Sequence, residues 1–234
     1  MTLPVINTPT YELTVPSTKD TLVYRPFLVK EEKILLMAME EDKESQLNRA
    51  LKQVVNNCTF QKVKVDKLPL FDLEYIFLRI RAKSVGEVAK LQILCEDDGE
   101  TYVPVEIDLE SIEVEFQEDH NTKIEITDDI GLIMSYPTFE YLDFNVEGSD
   151  INKLFDIIAS SIHQIYEGEI IHEKVDFNKK ELKTFLESLT SEQFKKVQNF
   201  FETMPRLRHT LEVENPKTKV INTVVLEGLN AFFE

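Results

Sequence analysis

The feature that most constrains this chain is a change of hydrophobic period at about residue 86. Val88, Leu91, Ile93 and Cys95 lead into the polar turn Glu96-Asp97-Asp98-Gly99, after which Tyr102, Val103, Val105 and Ile107 resume the apolar pattern. β-Branched and aromatic runs on either side of a Gly-containing turn predict a β-hairpin. Further strands are expected around Ile112, Val114 and Phe116 and around Ile124 and Ile126. The acidic residues between these apolar positions predict a sheet with one face in water.

The segment before this point follows a different rule. Pro4, Pro9 and Pro16 punctuate an opening arm and disfavour helix there, so it reads as a strand or a wrapping tail. Pro26 crowds Arg25 out of the α region, and a helix is expected to begin after it. Lys30, Glu31, Glu32 and Lys33 fill its first turns, and Ile34, Leu35, Leu36, Met37 and Met39 then form an apolar block wider than one amphipathic stripe needs. Such a helix is either core or incomplete until a partner covers it, and the core is expected. Ser45 is placed to cap a second helix carrying Leu47, Leu51, Val54 and Val55, with Asn56-Asn57 as its stop. Leu68-Pro69-Leu70 opens a third, with Leu73, Ile76, Phe77 and Ile80 on one face and Glu74, Arg79, Arg81 and Lys83 on the other.

Helical spacing returns after Gly148. Ser149 or Asp150 caps a helix bearing Leu154, Phe155, Ile158 and Ile162, and two more helices are predicted over Lys179 to Leu189 and Ser191 to Met204. Thr190-Ser191-Glu192 marks the start of the last, whose apolar face is Phe194, Val197, Phe200 and Phe201. Arg208 to Val213, a turn through Asn215-Pro216-Lys217, and Val220 to Leu226 close the chain as a hairpin. The class is α+β: an extended arm and helical bundle over 1–85, antiparallel β hairpins over 86–147, and helices with a closing hairpin over 148–234.

Charge narrows the function classes. There are 26 Lys and Arg against 43 Asp and Glu, a net charge of −17, and such a surface repels phosphate and anionic membrane. The only basic clusters are Arg79, Arg81 and Lys83, and Arg206, Arg208 and His209. Clusters this small read as solvated or ion-paired faces, so neither nucleic acid nor membrane is expected as a partner. The opening residues lack a basic stretch followed by an apolar one, so no signal peptide is expected. No apolar run approaches the roughly twenty residues of a membrane span. Cys58 and Cys95 form no CxxC pair and suit a reducing compartment.

No reaction chemistry is spelled out. Cys95 beside Glu96, Asp97 and Asp98 has the place of half a zinc knuckle without its partner cysteines. The same tip lacks the ligand alternation of a calcium loop, so it is expected to be a solvated turn. His163 and Glu167 stand one helical turn apart and Glu173 follows His172, but HExxH, GxSxG, the P-loop and GxGxxG are all missing. The expectation is a protein without catalytic residues, cofactor or metal. A metal-dependent enzyme is the weaker alternative.

Three separated segments carry a resemblance: YRPFLVKEEKILLMAME from Tyr24, ALKQVVNNC from Ala50 to Cys58, and LPLFDLEYIFLRIRAKSVGE from Leu68 to Glu87. Together they resemble the baseplate hub subunit family of T-even-type bacteriophages, over the first hundred residues. The resemblance implies tail morphogenesis of a contractile-tailed phage, with other hub and tail proteins as partners and no catalytic residues. It implies action in the host cytoplasm during assembly, either as a hub subunit kept in the virion baseplate or as an assembly chaperone absent from it. Aromatic side chains dominate protein interfaces, which makes Tyr24, Phe27, Phe71, Tyr75 and Phe77 candidate partner anchors, with burial in the core as the competing reading.

Overall fold

A computed structural model describes residues 6–41, 44–139, 150–228 and 231. Six α-helices and eleven strands lie among them, in an α+β arrangement of small antiparallel sheets. Contacts group the chain into two compact units, one running to Glu115 and resuming at Arg206, the other Phe116–Pro205. This grouping cuts across the sequence sections 1–85, 86–147 and 148–234. The closing hairpin joins the first unit because its strand pairing is long-range.

In the first unit the arm is a hairpin, β1 (Tyr11–Thr14) with β2 (Thr21–Tyr24), registered Tyr11 to Tyr24. Its turn is fastened to the next layer by Ser17, whose N–H donates to Asp72 Oδ1 at 3.0 Å and whose hydroxyl donates to Oδ2. Helices α1 (Val29–Glu40), α2 (Glu44–Cys58) and α3 (Leu70–Val85) follow. Helix α2 already includes Ser45, which therefore sits in its first turn and not at its cap.

Helix α3 is the centre of this unit. Ten of its residues are buried, from Phe71 and Asp72 through Arg79 and Ile80 to Ala82. The polar face expected of it is only partly wet, because Arg79 points inward. Its guanidinium donates to the carbonyls of Leu109 at 2.9 Å and Ile112 at 2.7 Å, and to Glu113 at 2.8 Å. A buried charge is tolerated when its donors are matched in this way. Hairpin β3 (Val88–Leu94) with β4 (Tyr102–Asp108) pairs Leu94 with Tyr102 across the expected turn. Strand β5 (Val114–Glu115) is an edge of a third sheet, ordered β11-β10-β5, where β10 is Arg206–Glu214 and β11 Ile221–Glu227.

The second unit is a four-stranded antiparallel sheet with three helices. Its strands are β6 (Lys123–Glu125), β7 (Ile130–Met134), β8 (Ile162–Glu167) and β9 (Ile170–Glu173), in that order across the sheet. Helices α4 (Asp150–Ser161), α5 (Lys179–Glu187) and α6 (Ser191–Thr203) complete it. Ser149 lies outside the described residues. Ile124, Leu132, Ile158, Ile162, Leu186, Val197 and Phe200 are central to its core. The helix expected to carry Ile162 stops at Ser161, so His163 and Glu167 stand on a strand. Pairing with β7 decides this, since Ile162 and Ile165 face its core and Gly168, at φ 58°, turns the chain back into β9.

Gly131 has a positional reason. It lies opposite Tyr166, and a Cβ there would fall 2.0 Å from the phenol oxygen. An aromatic ring covering a cross-strand glycine restores packing the glycine cannot supply. Helices α5 and α6 start as their sequences dictate. Asn178 accepts from the N–H groups of Lys180 and Glu181, and Thr190 from that of Gln193.

Candidate functional site

Helix α1 leaves several large apolar side chains on its outer side. Its two buried side chains are Glu31 and Ala38, whereas Val29, Leu36, Met37 and Met39 are 78%, 56%, 54% and 64% exposed. Ile34 and Leu35 are half-buried. The expectation that this apolar block is core is therefore overturned for its outer half. The cause is a polar anchor on the inner side. Glu31 accepts from Arg25 Nη2 at 3.0 Å, from the Leu28 N–H at 2.9 Å and from Asn57 Nδ2 at 3.4 Å, while Arg25 also donates to the carbonyl of Pro26. Burial alone raises the Glu31 carboxyl, but the bonds from Arg25 and Leu28 and the charges of Arg25 and Lys30 outweigh it and hold its pKa below the usual range. The helix is thus rotated so that its carboxylate meets Arg25 and its leucine and methionines face water.

The five aromatic candidates do not form a shared outer surface. Tyr24, Phe71, Tyr75 and Phe77 are buried and Phe27 is half-buried. Tyr24 lies 5.8 Å from the Tyr11 ring, Tyr75 lies beneath the Arg79 guanidinium at 4.6 Å, and the Phe27 N–H donates to Ser84 Oγ. These contacts are core contacts of the first unit. The exposed apolar side chains of α1 were not among the candidates, because α1 read as a buried helix.

In the second unit an open groove runs between helices, floored by Phe155, Leu186, Leu189 and Phe194 and rimmed by Glu187 and Lys195. The rings of Phe155 and Phe194 stack at 5.4 Å. On the same helix as Phe155, Ile151 and Leu154 are exposed. His120 is elsewhere in this unit, stacked with Tyr136 and tilted against Phe200, with Nδ1 2.9 Å from Thr203 Oγ1. Burial lowers its pKa.

The acidic tip is an exposed turn, as expected, with Glu96, Asp97 and Gly99 open to water, but one of its carboxylates is engaged. The Asp97 carboxylate accepts from Asn215 Nδ2 and Asn222 Nδ2, each at 2.9 Å, and from the Thr218 hydroxyl, and its own N–H donates to Asn222 Oδ1. One carboxylate thus latches the β3–β4 tip to the turn of the closing hairpin, across more than a hundred residues of sequence. These bonds hold Asp97 below the ordinary carboxylate range. Asp98 is lowered too, by the Thr101 hydroxyl and the N–H groups of Thr101 and Glu100.

The basic clusters are spent on acids. Lys83 meets Glu87 and Glu110, Arg206 meets Glu227, and Arg208 lies 4.0 Å from Glu115. Both cysteines are free and fully buried, and burial pushes the Cys58 thiol up to about 11. Among the described residues no group of three or more His, Cys, Asp or Glu converges to hold a metal ion, and no helix is long and apolar enough to cross a membrane.

The family described as T4 bacteriophage base plate protein matches residues 8–234, which takes in both compact units. The chain belongs to the T4 bacteriophage base plate protein family. The resemblance carried by its first hundred residues therefore extends through the closing hairpin. Comparisons with curated proteins and with solved structures returned no match. Membership makes this a phage base plate protein, whose family implies contacts with other proteins of the phage tail. For contacts of that kind the relevant features are the surfaces left apolar in each unit.

Proposed function

We propose that this protein is a non-enzymatic component of baseplate hub assembly, acting through protein–protein contacts with other hub and tail proteins in the host cytoplasm. The observation that carries this reading is the family match over residues 8–234. The exposed apolar side chains of α1 and the groove floored by Phe155, Leu189 and Phe194 support it, since contiguous apolar surface on a soluble exterior marks interaction sites. The acidic surface keeps the free protein soluble until it docks.

Quantitative mass spectrometry of purified virions, beside an affinity pull-down from infected-cell lysate, tests the reading. Stoichiometric presence in particles makes the protein a hub subunit of the finished baseplate. Absence from particles, with hub proteins recovered in the pull-down, makes it an assembly factor that leaves. Failure to find it in particles or with hub proteins refutes the proposal.

A further inference from the structure

Val29, Glu32, Leu36 and Met39 recur along α1 at intervals of three and four residues, the spacing of the a and d positions of a short coiled-coil seam. Three of the four are apolar, and all four are exposed. Lys33 and Glu40 flank this seam on one side, at the e positions that set partner choice in coiled coils. Both are exposed, and among the described residues neither takes part in an ion pair. The clamp of Arg25, Glu31 and Asn57 fixes the rotation that presents this seam outward.

We propose that α1 is a self-association surface, on which a second copy of this chain lays its own α1 antiparallel about a two-fold axis. The order of charges along the helix selects this occupant. Lys33 precedes the apolar pair Leu36 and Met39, and Glu40 follows it. Antiparallel packing about an axis between Leu36 and Met39 sets Leu36 of each copy against Met39 of the other. It also brings Lys33 of each copy toward Glu40 of the other, so two apolar layers are flanked by two complementary pairs. A parallel pair would keep the apolar layers, Leu36 on Leu36 and Met39 on Met39, but would form no complementary pair between Lys33 and Glu40. The surface is thus self-complementary in the manner of an isologous contact.

The net charge of −17 on each copy opposes association only over distances that salt screens, with a Debye length of about 8 Å at physiological ionic strength. The pairs across the seam are formed at contact. A twelve-residue helix spans about 18 Å, so the contact is smaller than the roughly 1,600 Å² of a standard interface. The association is therefore weak and reversible. This inference does not depend on the baseplate reading and fails or stands separately from it.

Sedimentation equilibrium of the full chain at about 0.15 M salt, where surface charge is screened beyond roughly a Debye length, tests it. The expected result is a reversible monomer–dimer equilibrium. Leu36→Glu removes the dimer over the accessible concentrations. Lys33→Glu and Glu40→Lys each weaken it about tenfold by making both cross-pairs repulsive. Lys33→Glu with Glu40→Lys reverses every pair and returns the affinity to within about threefold of the parent. All three positions are exposed, so the variants keep the fold, and far-UV circular dichroism checks that they do. A monomer at every concentration, a dimer that survives Leu36→Glu, or a double reversal no tighter than the single changes overturns the proposal. The first outcome would give the seam to a chain of different sequence.

Discussion

On α1 the ordinary ranking of side chains is inverted, and replacing Glu31 is expected to cost far more than replacing Leu36. The Glu31 side chain is fully buried, and its carboxylate accepts from Arg25, Leu28 N–H and Asn57. Glu31→Ala leaves the Arg25 guanidinium, whose side chain is 11% exposed, facing a hole where its counter-charge stood. Removing one member of a buried ion pair costs about 3–5 kcal/mol, and the slight exposure of Arg25 puts this case near the lower end. The N–H of Leu28 loses its acceptor as well, which adds about 1 kcal/mol. A loss of roughly 3–4 kcal/mol lowers the melting temperature by about 6–16 °C for a domain of this size. Leu36→Ala changes a side chain already more than half in water and is expected within about 0.5 kcal/mol of the parent. The chain has no tryptophan, so urea and thermal unfolding are followed by far-UV circular dichroism. Arg25→Met with Glu31→Leu removes both charges and is expected to cost clearly less than the two single changes summed. Equal costs for Glu31→Ala and Leu36→Ala, or additive single changes at Arg25 and Glu31, would refute the clamp.

Arg79→Met strands the carbonyls of Leu109 and Ile112 without a donor and is expected to cost about 2–5 kcal/mol by urea unfolding; Arg79→Lys does not rescue it, since one ammonium cannot reproduce the guanidinium fork. Gly131→Ala drives a methyl group into the Tyr166 ring and is expected to cost about 1–3 kcal/mol, most of it relieved when Tyr166→Ala is added. A thiol reagent at neutral pH is expected to leave Cys58 and Cys95 unmodified in the native chain and to label both in denaturant, because burial keeps each thiol protonated and covered. Glu31, Asp97, Asp98 and Asp156 all have folded-state pKa values below their unfolded ones, so their contribution is present above the unfolded carboxylate pKa and is lost as pH falls through the folded values. Asp72 is raised by burial and has the opposite sign. Stability is therefore expected to fall between about pH 5 and pH 2, and Asp97→Asn to flatten that fall; an unchanged slope in the variant would remove Asp97 from the account.

Much of the fold was written in local pattern. The alternation around Glu96 to Gly99 gave the hairpin β3–β4, and Asn178 and Thr190 marked the starts of α5 and α6 where their oxygens cap N–H groups. What could not be read locally was pairing at long range. The second unit includes β7 to β9 because β-branched residues after Ser161 meet a neighbour nearly thirty residues earlier, and helical spacing across Ile158 and Ile162 continues past the real helix end. Asp97 looked like one of many surface acids, since its three partners lie between Asn215 and Asn222. No spacing rule joins positions so far apart.

The two helices misjudged in opposite directions share one cause, and it bears on function. Hydrophobic pattern reports which side chains would prefer burial, but the rotation of a helix is decided by the neighbour with the strongest demand. For α3 that demand comes from Leu109 and Ile112, whose carbonyls need a donor and draw Arg79 inward, leaving the helix buried on nearly every side. For α1 it comes from Arg25, which holds Glu31 inward and so commits Leu36 and Met39 to the outside. A mutation that freed α1 to roll would bury those two residues at the expense of an unpaired carboxylate. The clamp makes that roll unfavourable by several times RT, so the apolar seam is held on the surface in the absence of any partner. A protein that works by docking needs such a face ready before the encounter, because ordering it afterwards would subtract from affinity.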